Sequence, residues 1–390
     1  MPAPDRSLDL IPASVSDYRE LARRRLPRQV FDYLDGGSFG EATLRANRDD
    51  LHALHFRQRV LRDVSTRSLA TTVLGTELSM PVVLAPIGFG GMMAPRAEVL
   101  AARAAQRAGV AFCESTLAIC SVEEVAAAAA PPWFQLYVMK DRAIAEDLMA
   151  RAQAVGCTTL VLTVDLPVVG HRYRDVRNGV SGGVRGLGNL SRGWDVASHP
   201  TWVRRVGLGG RPLSFGNLAK ALAGASVPKD FQAWVASQFD PTVTWDDLGW
   251  LREHWRGPVA IKGILDADDA RQAVAHGADA VIVSNHGGRQ LDDVPSSVSA
   301  LPRIVDAVGD RCEVLMDGGI RSGLDVAKAL ALGARACLVG RAWAYAVAGR
   351  GERGVEHVLR IMREEMMVTL GLTGVNDVRS LDRSALVDGG

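Results

Sequence analysis

With 390 residues, 47% of them hydrophobic and 23% charged, the chain can bury a large core and is too apolar for an intrinsically disordered protein. Forty-five basic side chains against 44 acidic ones leave a formal charge of +1, which excludes a global field for recruiting nucleic acid or an anionic bilayer. Five cysteines without a CxxC pair, and no apolar run approaching the ~18 residues of a membrane span, predict reduced core thiols in a cytosolic protein, neither secreted nor membrane-spanning, with no metal centre.

Ser14 and Asp17 are spaced to cap a helix running to Arg25, and LPRQVFDYLDGG predicts a short second helix carrying Tyr33, within an N-terminal helical cap over residues 1–80. From residue 81 onward, apolar runs rich in β-branched residues alternate with Ala-rich helical patterns that mostly stop at a glycine. The runs cover 81–88, 110–115, 133–138, 159–165, 259–263, 280–286, 313–319 and 336–341. The helices between them include 97–109, 121–130, 141–156, 266–277 and 322–333, with Ser121 and Glu124 spaced as a capping box. Eight such units predict a single α/β domain, 1–390, folded as a (β/α)8 TIM barrel. An open doubly wound sheet is disfavoured because no GxGxxG follows the first strand. Residues 176–240, between strands four and five, form a connection too long for an ordinary barrel loop.

In a barrel of this kind chemistry gathers where strands end, so the polar residue closing each run carries the information. Strand one ends in Pro86, Ile87 and Gly88, and strand two in Ser115. Strand three carries Gln135 and Tyr137, strand four Thr163 and Asp165, and strand five Lys262. Strand six ends in Ser284, His286 and Arg289, strand seven in Asp317, Gly318, Gly319 and Arg321, and strand eight in Gly340 and Arg341. A lysine inside VAIKG and an aspartate closing TLVLTVD each cost several kcal/mol unless paired, so a purely structural barrel has no use for them. A lone histidine after a strand is more often a satisfied surface group than a base. In VIVSNHGGRQLDD, however, His286 shares its rim with Arg289, a proton acceptor beside a carboxylate clamp. MDGGIRSG and LVGRA have the glycines and arginines of a phosphate cradle, which alone does not separate a phosphorylated substrate from a phosphorylated cofactor.

Taken in order, LPRQVFDYLDGG, FQLYV, LTVD, VAIKG, SNHGGRQLD and DGGIRSG resemble the FMN-dependent L-2-hydroxy acid dehydrogenases and oxidases over nearly the whole chain. FRQRVL at 56–61, HPTWVRR, GLGGRPLSFGN and QFDPTVTWDDLGWLR most resemble the bacterial respiratory L-lactate dehydrogenases within that family. The resemblance implies an FMN cofactor and oxidation of an L-2-hydroxy acid such as L-lactate. It makes His286 the active-site base, with Asp165 orienting it and stabilising its imidazolium. Arg172, Arg289 and Tyr33 would hold the substrate carboxylate, and Tyr137 its hydroxyl. Lys262 would sit beside the flavin ring; Pro86, Ile87, Gly88, Ser115, Gln135, Thr163 and Ser284 would line it. Asp317, Gly318, Gly319, Arg321, Gly340 and Arg341 would meet its ribityl chain and phosphate. Leu117, where plant-type glycolate oxidases carry tryptophan, and Glu114, a charge where relatives tend to be apolar, bear on substrate size and leave a mandelate-like acid open. Gly88, where oxidases of the family often carry alanine, leans towards a dehydrogenase passing electrons to a quinone or a protein, with an oxygen-using oxidase as the alternative. The resemblance also implies a homotetramer.

Two readings from other classes stay open on the residues themselves: a flavin-free isomerase or lyase holding a phosphorylated substrate at strands seven and eight, and a catalytically silent barrel serving as a binding module. Residues 176–230 hold eight Lys or Arg against two Asp, with Trp194, Trp202 and Phe215 interleaved. This mixture suits contact with an anionic membrane surface and equally suits a lid folded over the barrel mouth, and the family resemblance implies peripheral attachment, at the inner face of the cell membrane.

Overall fold

The computed structural model describes residues 11–178, 187–210, 213–222 and 237–387. A hairpin, β1 (Thr71–Val73) and β2 (Thr76–Leu78), precedes eight parallel strands that close a barrel. These are β3 (Val82–Leu84), β4 (Ala111–Ser115), β5 (Trp133–Leu136), β6 (Leu160–Thr163), β7 (Val259–Ile264), β8 (Ala280–Val283), β9 (Glu313–Met316) and β10 (Ala336–Val339), with β10 returning to pair with β3. The barrel anticipated from the alternation of apolar runs and helices is thus the architecture found. Every strand except β7 is shorter than its run, mostly because the last residues leave the ladder to build the rim.

Several helices begin where a side chain satisfies a free backbone N–H. At the start of α1 (Val15–Arg25) the Ser14 hydroxyl accepts from the Asp17 N–H, and the Asp17 carboxylate accepts from the Ser14 N–H at 2.9 Å. Tyr33 lies on α2 (Arg28–Asp35), and α3 (Ala42–Ala53) follows. After β3 comes α4 (Ala97–Ala108), and after β4 comes α5 (Val122–Ala128), capped by Ser121 and Glu124 as the spacing suggested. The alanine run expected to stay helical to residue 130 leaves the helix at Ala129, which is extended. The Pro131–Pro132 pair that follows disfavours helical backbone before it.

Strand parity decides what faces the barrel axis. Val83, Cys113, Trp133, Val161, Ala260, Ile282, Leu315 and Leu338 form an interior cluster. Two residues further along, on the same face by the period of a strand, stand Ala85, Ser115, Gln135, Thr163, Lys262, Ser284, Asp317 and Gly340. The upper layer of the barrel is therefore mostly polar and the lower layer apolar. Val73, Leu74 and Leu78 of the hairpin join the interior cluster, the Trp133 indole N–H donates to Thr76, and the Leu74 N–H donates to Glu313, so the hairpin plugs the lower end. All five cysteines are free, and four are buried.

Candidate active site

The barrel mouth opens into a cavity of about 650 Å³ whose lining includes Tyr33, Pro86, Ile87, Gly88, Ser115, Tyr137, Arg172, Lys262, His286, Arg289, Asp317, Gly318, Gly319, Arg321, Gly340 and Arg341. Residues spread over three hundred positions thus converge on one space. Gln135, Thr163 and Ser284, also expected to line it, sit in the polar layer beneath, and Asp165 stands directly behind His286.

His286 follows β8 with a left-handed backbone, φ 57°, a conformation that costs a residue with a Cβ about 1–2 kcal/mol. The Ser284 hydroxyl oxygen accepts from the His286 N–H at 3.0 Å and from Lys262 Nζ at 3.1 Å, tying base and lysine to one group. His286 Nδ1 lies 2.9 Å from Asp165 Oδ1. Burial pushes the Asp165 carboxyl upward, but His286 and Lys262 outweigh it and hold the group below its usual range, ionised. An ionised carboxylate only accepts, so Nδ1 carries the hydrogen and Nε2 is left with a lone pair. Burial, opposed by Asp165 and reinforced by Lys262, lowers the imidazole below its usual 6.5, so the ring is neutral near pH 7.

Asp165 reaches this position because β7 lets it pass. Gly263 has φ +117°, and a Cβ there would lie 2.6 Å from Asp165 Cβ. Glycine alone satisfies both constraints.

Lys262 is buried and ion-paired with Asp317 at 3.2 Å. Burial would depress its pKa; Asp317 and Asp165 overcome that and raise it, so a fixed cation stands at the cavity floor. In the same cavity lining Arg172 and Arg289 lie over the Tyr33 ring, at 5.8 and 4.8 Å from its centroid. Burial, then the neighbouring Arg289, lowers Arg172 to about 10, the mark of two cations pressed together without a full counter-charge. The buried Nε of Arg172 has no partner among the described residues, and Asp175 is 3.7 Å from its Nη1. Burial raises the Tyr137 phenol, keeping its proton in place.

Two arginines are more committed than their motifs suggested. Arg341 gives its guanidinium to the carbonyls of Leu34, Gly287 and Gly36, and Arg289 Nη1 donates to Tyr33 and Gly36 carbonyls. The C-terminal end of α2 has unpaired carbonyls that need donors, and these side chains supply them. What Arg341 offers the cavity is accordingly the start of helix Arg341–Arg350. Arg321 is partly buried, donates to the Ile320 carbonyl, and has no carboxylate within ion-pair distance among the described residues. Buried Gln135 Nε2 and Thr163 Oγ1 also lack protein partners there. An unpaired arginine at the glycine-rich end and unpaired amide and hydroxyl groups under the middle fit a ligand with an anionic tail and a polar-edged ring, as FMN has.

Sequence reasoning missed Phe89, Leu166 and Phe239 in the cavity wall, and the buried Asp35, which accepts from Arg19, Arg174 and Tyr345 and anchors α2. Phe89 was signalled only by its place beside Gly88. Glu114 has outward parity and is enclosed behind β4, away from the cavity, so its expected bearing on substrate size is corrected; Leu117 does form the wall.

One part of the insertion folds inward and another part faces outward. Trp202 donates to the Met92 carbonyl at 2.8 Å and Phe215 is fully buried, folding over the mouth. Leu190 and Trp194, one turn apart on helix Leu187–Ala197, are 70% and 78% exposed. Arg185, Arg211, Lys229 and Asp230 of the basic stretch lie outside the described residues. No described helix is long and apolar enough to cross a membrane, and no metal-binding cluster occurs among the described residues.

A family profile described as FMN-dependent dehydrogenase matches residues 22–388. The chain is 54% identical over 380 residues to an L-lactate dehydrogenase of Caulobacter vibrioides, covering 97% of this chain and 98% of that one. It is 50% identical to an L-lactate dehydrogenase of Pseudomonas syringae pv. syringae, covering 97% and 99%. Among solved structures, the monotopic membrane protein (S)-mandelate dehydrogenase superposes with a TM-score of 0.90 at 39% identity, covering 97% of this chain and 99% of that chain. A mandelate oxidase gives 0.82 at 38%, covering 97% and 98%.

Proposed function

The chain belongs to the FMN-dependent dehydrogenases, and from that premise we propose that it oxidises an L-2-hydroxy acid, L-lactate foremost, to the corresponding 2-oxo acid. The observation carrying this reading is His286, backed by Asp165 at 2.9 Å, in one cavity with Arg172, Arg289, Tyr33, Tyr137 and Lys262. Arg172 and Arg289 bind the substrate carboxylate, with the Tyr33 hydroxyl beside them. Tyr137, which keeps its proton, donates to the reacting oxygen. His286 Nε2 takes up the substrate proton, and Asp165 stabilises the imidazolium that results. FMN, when bound, accepts the electron pair leaving the substrate's α-carbon. Ser115, Gln135, Thr163, Ser284 and residues 86–88 would hold its ring, and Asp317, Gly318, Gly319, Arg321, Gly340 and the helix start at Arg341 its ribityl chain and phosphate. Lys262 favours added negative charge at the ring because it is fixed and dry.

The acceptor in this reading is a quinone, reached from the membrane surface through Leu190, Trp194 and Leu208, which are exposed on the insertion. The working assembly is a tetramer; Val368 and Leu372, exposed one turn apart on helix Glu352–Thr373, are the apolar surface supporting self-association. A second reading, an aryl substrate, is favoured by Leu117 in the wall and by the likeness to mandelate dehydrogenase. Purification, a visible spectrum and anaerobic addition of L-lactate and L-mandelate test all of this chemistry. Bleaching of a flavin band by lactate more than by mandelate is expected; a colourless protein, or a flavin that neither acid bleaches, overturns the reading.

A further inference from the structure

The return limb of the insertion is fastened to the wall of the cavity by three consecutive residues. Asn217 is buried; its Nδ2 donates to the Ser115 carbonyl at 2.9 Å, and its Oδ1 accepts from the Val122 N–H at 2.8 Å. Its own carbonyl accepts from Arg151 at 2.7 Å. One amide thereby spans the loop between β4 and α5, the loop that presents Leu117 to the cavity. The Gly216 N–H donates to the Ala118 carbonyl in the middle of that loop, and a Cβ at Gly216 would fall 2.5 Å from the Ser121 nitrogen, so backbone lies directly on backbone. The Phe215 ring packs edge-on against Phe89 at 4.7 Å, and Phe89 packs edge-on against Tyr33 at 5.6 Å. The Phe89 N–H closes the circuit by donating to the Leu117 carbonyl.

From this arrangement we infer that Phe215, Gly216 and Asn217 form a clasp through which the insertion sets the positions of Leu117 and Tyr33, making Asn217 and Phe215 positioning residues for substrate selectivity. The inference rests on the 2-hydroxy acid reading above, and concerns which side chain that acid carries. Neither residue touches the cavity, so each acts through another: Asn217 through Leu117, which faces the substrate side chain, and Phe215 through Phe89 and Tyr33, beside the carboxylate clamp. Aromatic edge contacts and doubly used buried amides hold a wall in one place because displacement leaves a polar group unpaired or a void unfilled.

The test uses the full-length FMN-loaded protein and two 2-oxo acids, pyruvate and phenylglyoxylate, whose dissociation constants are read from the shift of the visible flavin band without turnover. Asn217→Ala frees the loop, and Asn217→Asp keeps the acceptor towards Val122 while losing the donor towards Ser115. Both are expected to move the ratio of the two constants at least fivefold in favour of the aryl acid. Phe215→Leu, which preserves most of the volume and covers the case of an Asn217 variant that does not fold, should move it about threefold in the same direction. KM for L-lactate should rise in each, with kcat within twofold because His286 and Asp165 are untouched. Trp194→Ala, in the same insertion but solvent-facing, should leave the ratio alone. FMN-loaded variants whose ratio stays within twofold of the wild type overturn the clasp, as does an equal change in Trp194→Ala. Wild-type protein that binds neither acid overturns instead the substrate class on which the clasp depends.

Discussion

Two opposing influences act on His286: burial strips the imidazole of its proton, while the Asp165 carboxylate favours getting it back. The first sets the resting state and the second rewards proton transfer, so the histidine waits as a base. His286→Ala is expected to abolish flavin reduction by L-lactate while leaving FMN bound, checked by anaerobic stopped-flow and by the absorbance ratio of the purified protein. Because the neutral ring is the active form and its pKa is lowered, kcat/KM should hold steady down to pH 6.5 and fall only below it. A fall beginning above that pH would assign the titration to another group. Glu114 makes the reverse case. It is buried with no partner for either oxygen among the described residues, and burial, with Glu98 adding to it, raises its pKa well above the carboxylate range. The folded protein therefore holds a proton that the unfolded chain gives up above about pH 4.5, and stability drains away as pH rises, by up to about 1.4 kcal/mol per unit until the folded pKa is passed. Glu114→Gln, which has no such proton, should melt higher than wild type at pH 8 and nearly with it at pH 4.5 by calorimetry.

Between neighbouring strands the site depends on backbone that side chains would block. Gly263→Ala puts a methyl group into Asp165 and asks alanine to adopt φ +117°. It should slow flavin reduction by a hundredfold or more while retaining FMN, imitating Asp165→Asn, as measured by single-turnover kinetics. Much of this architecture was legible in the chain. Eight β-branched runs, each closed by a polar residue, announced the barrel and its reactive rim, with Lys262, Ser284 and Asp317 among the closing residues. Gly263 was not legible, because its demand comes from Asp165 nearly one hundred residues away. Nor was Glu114's location, since the signal there was its charge and only parity, once the strand start was fixed, turned it outward. The commitment of Arg341 to carbonyls of α2 was hidden for the same reason, as no local pattern says which distant helix end will need donors.

At the scale of the whole molecule, the described residues form one reactive mouth, overlaid by an insertion part of which is folded inward and part exposed. Replacing Leu190 and Trp194 together by serine removes the outward apolar stripe without touching Trp202 or Phe215. The variant should detach from anionic phospholipid vesicles in a flotation assay while its bleaching by L-lactate stays within twofold of wild type; persistent flotation would move the contact elsewhere. The hairpin at the far end has a kinetic corollary. Since Val73, Leu74 and Leu78 stopper that end, the described residues leave donor and acceptor one doorway to share. They take turns in it. Initial-rate plots at varied donor and acceptor should accordingly run as parallel lines, with spent keto acid lingering in the entrance and competing against the incoming oxidant.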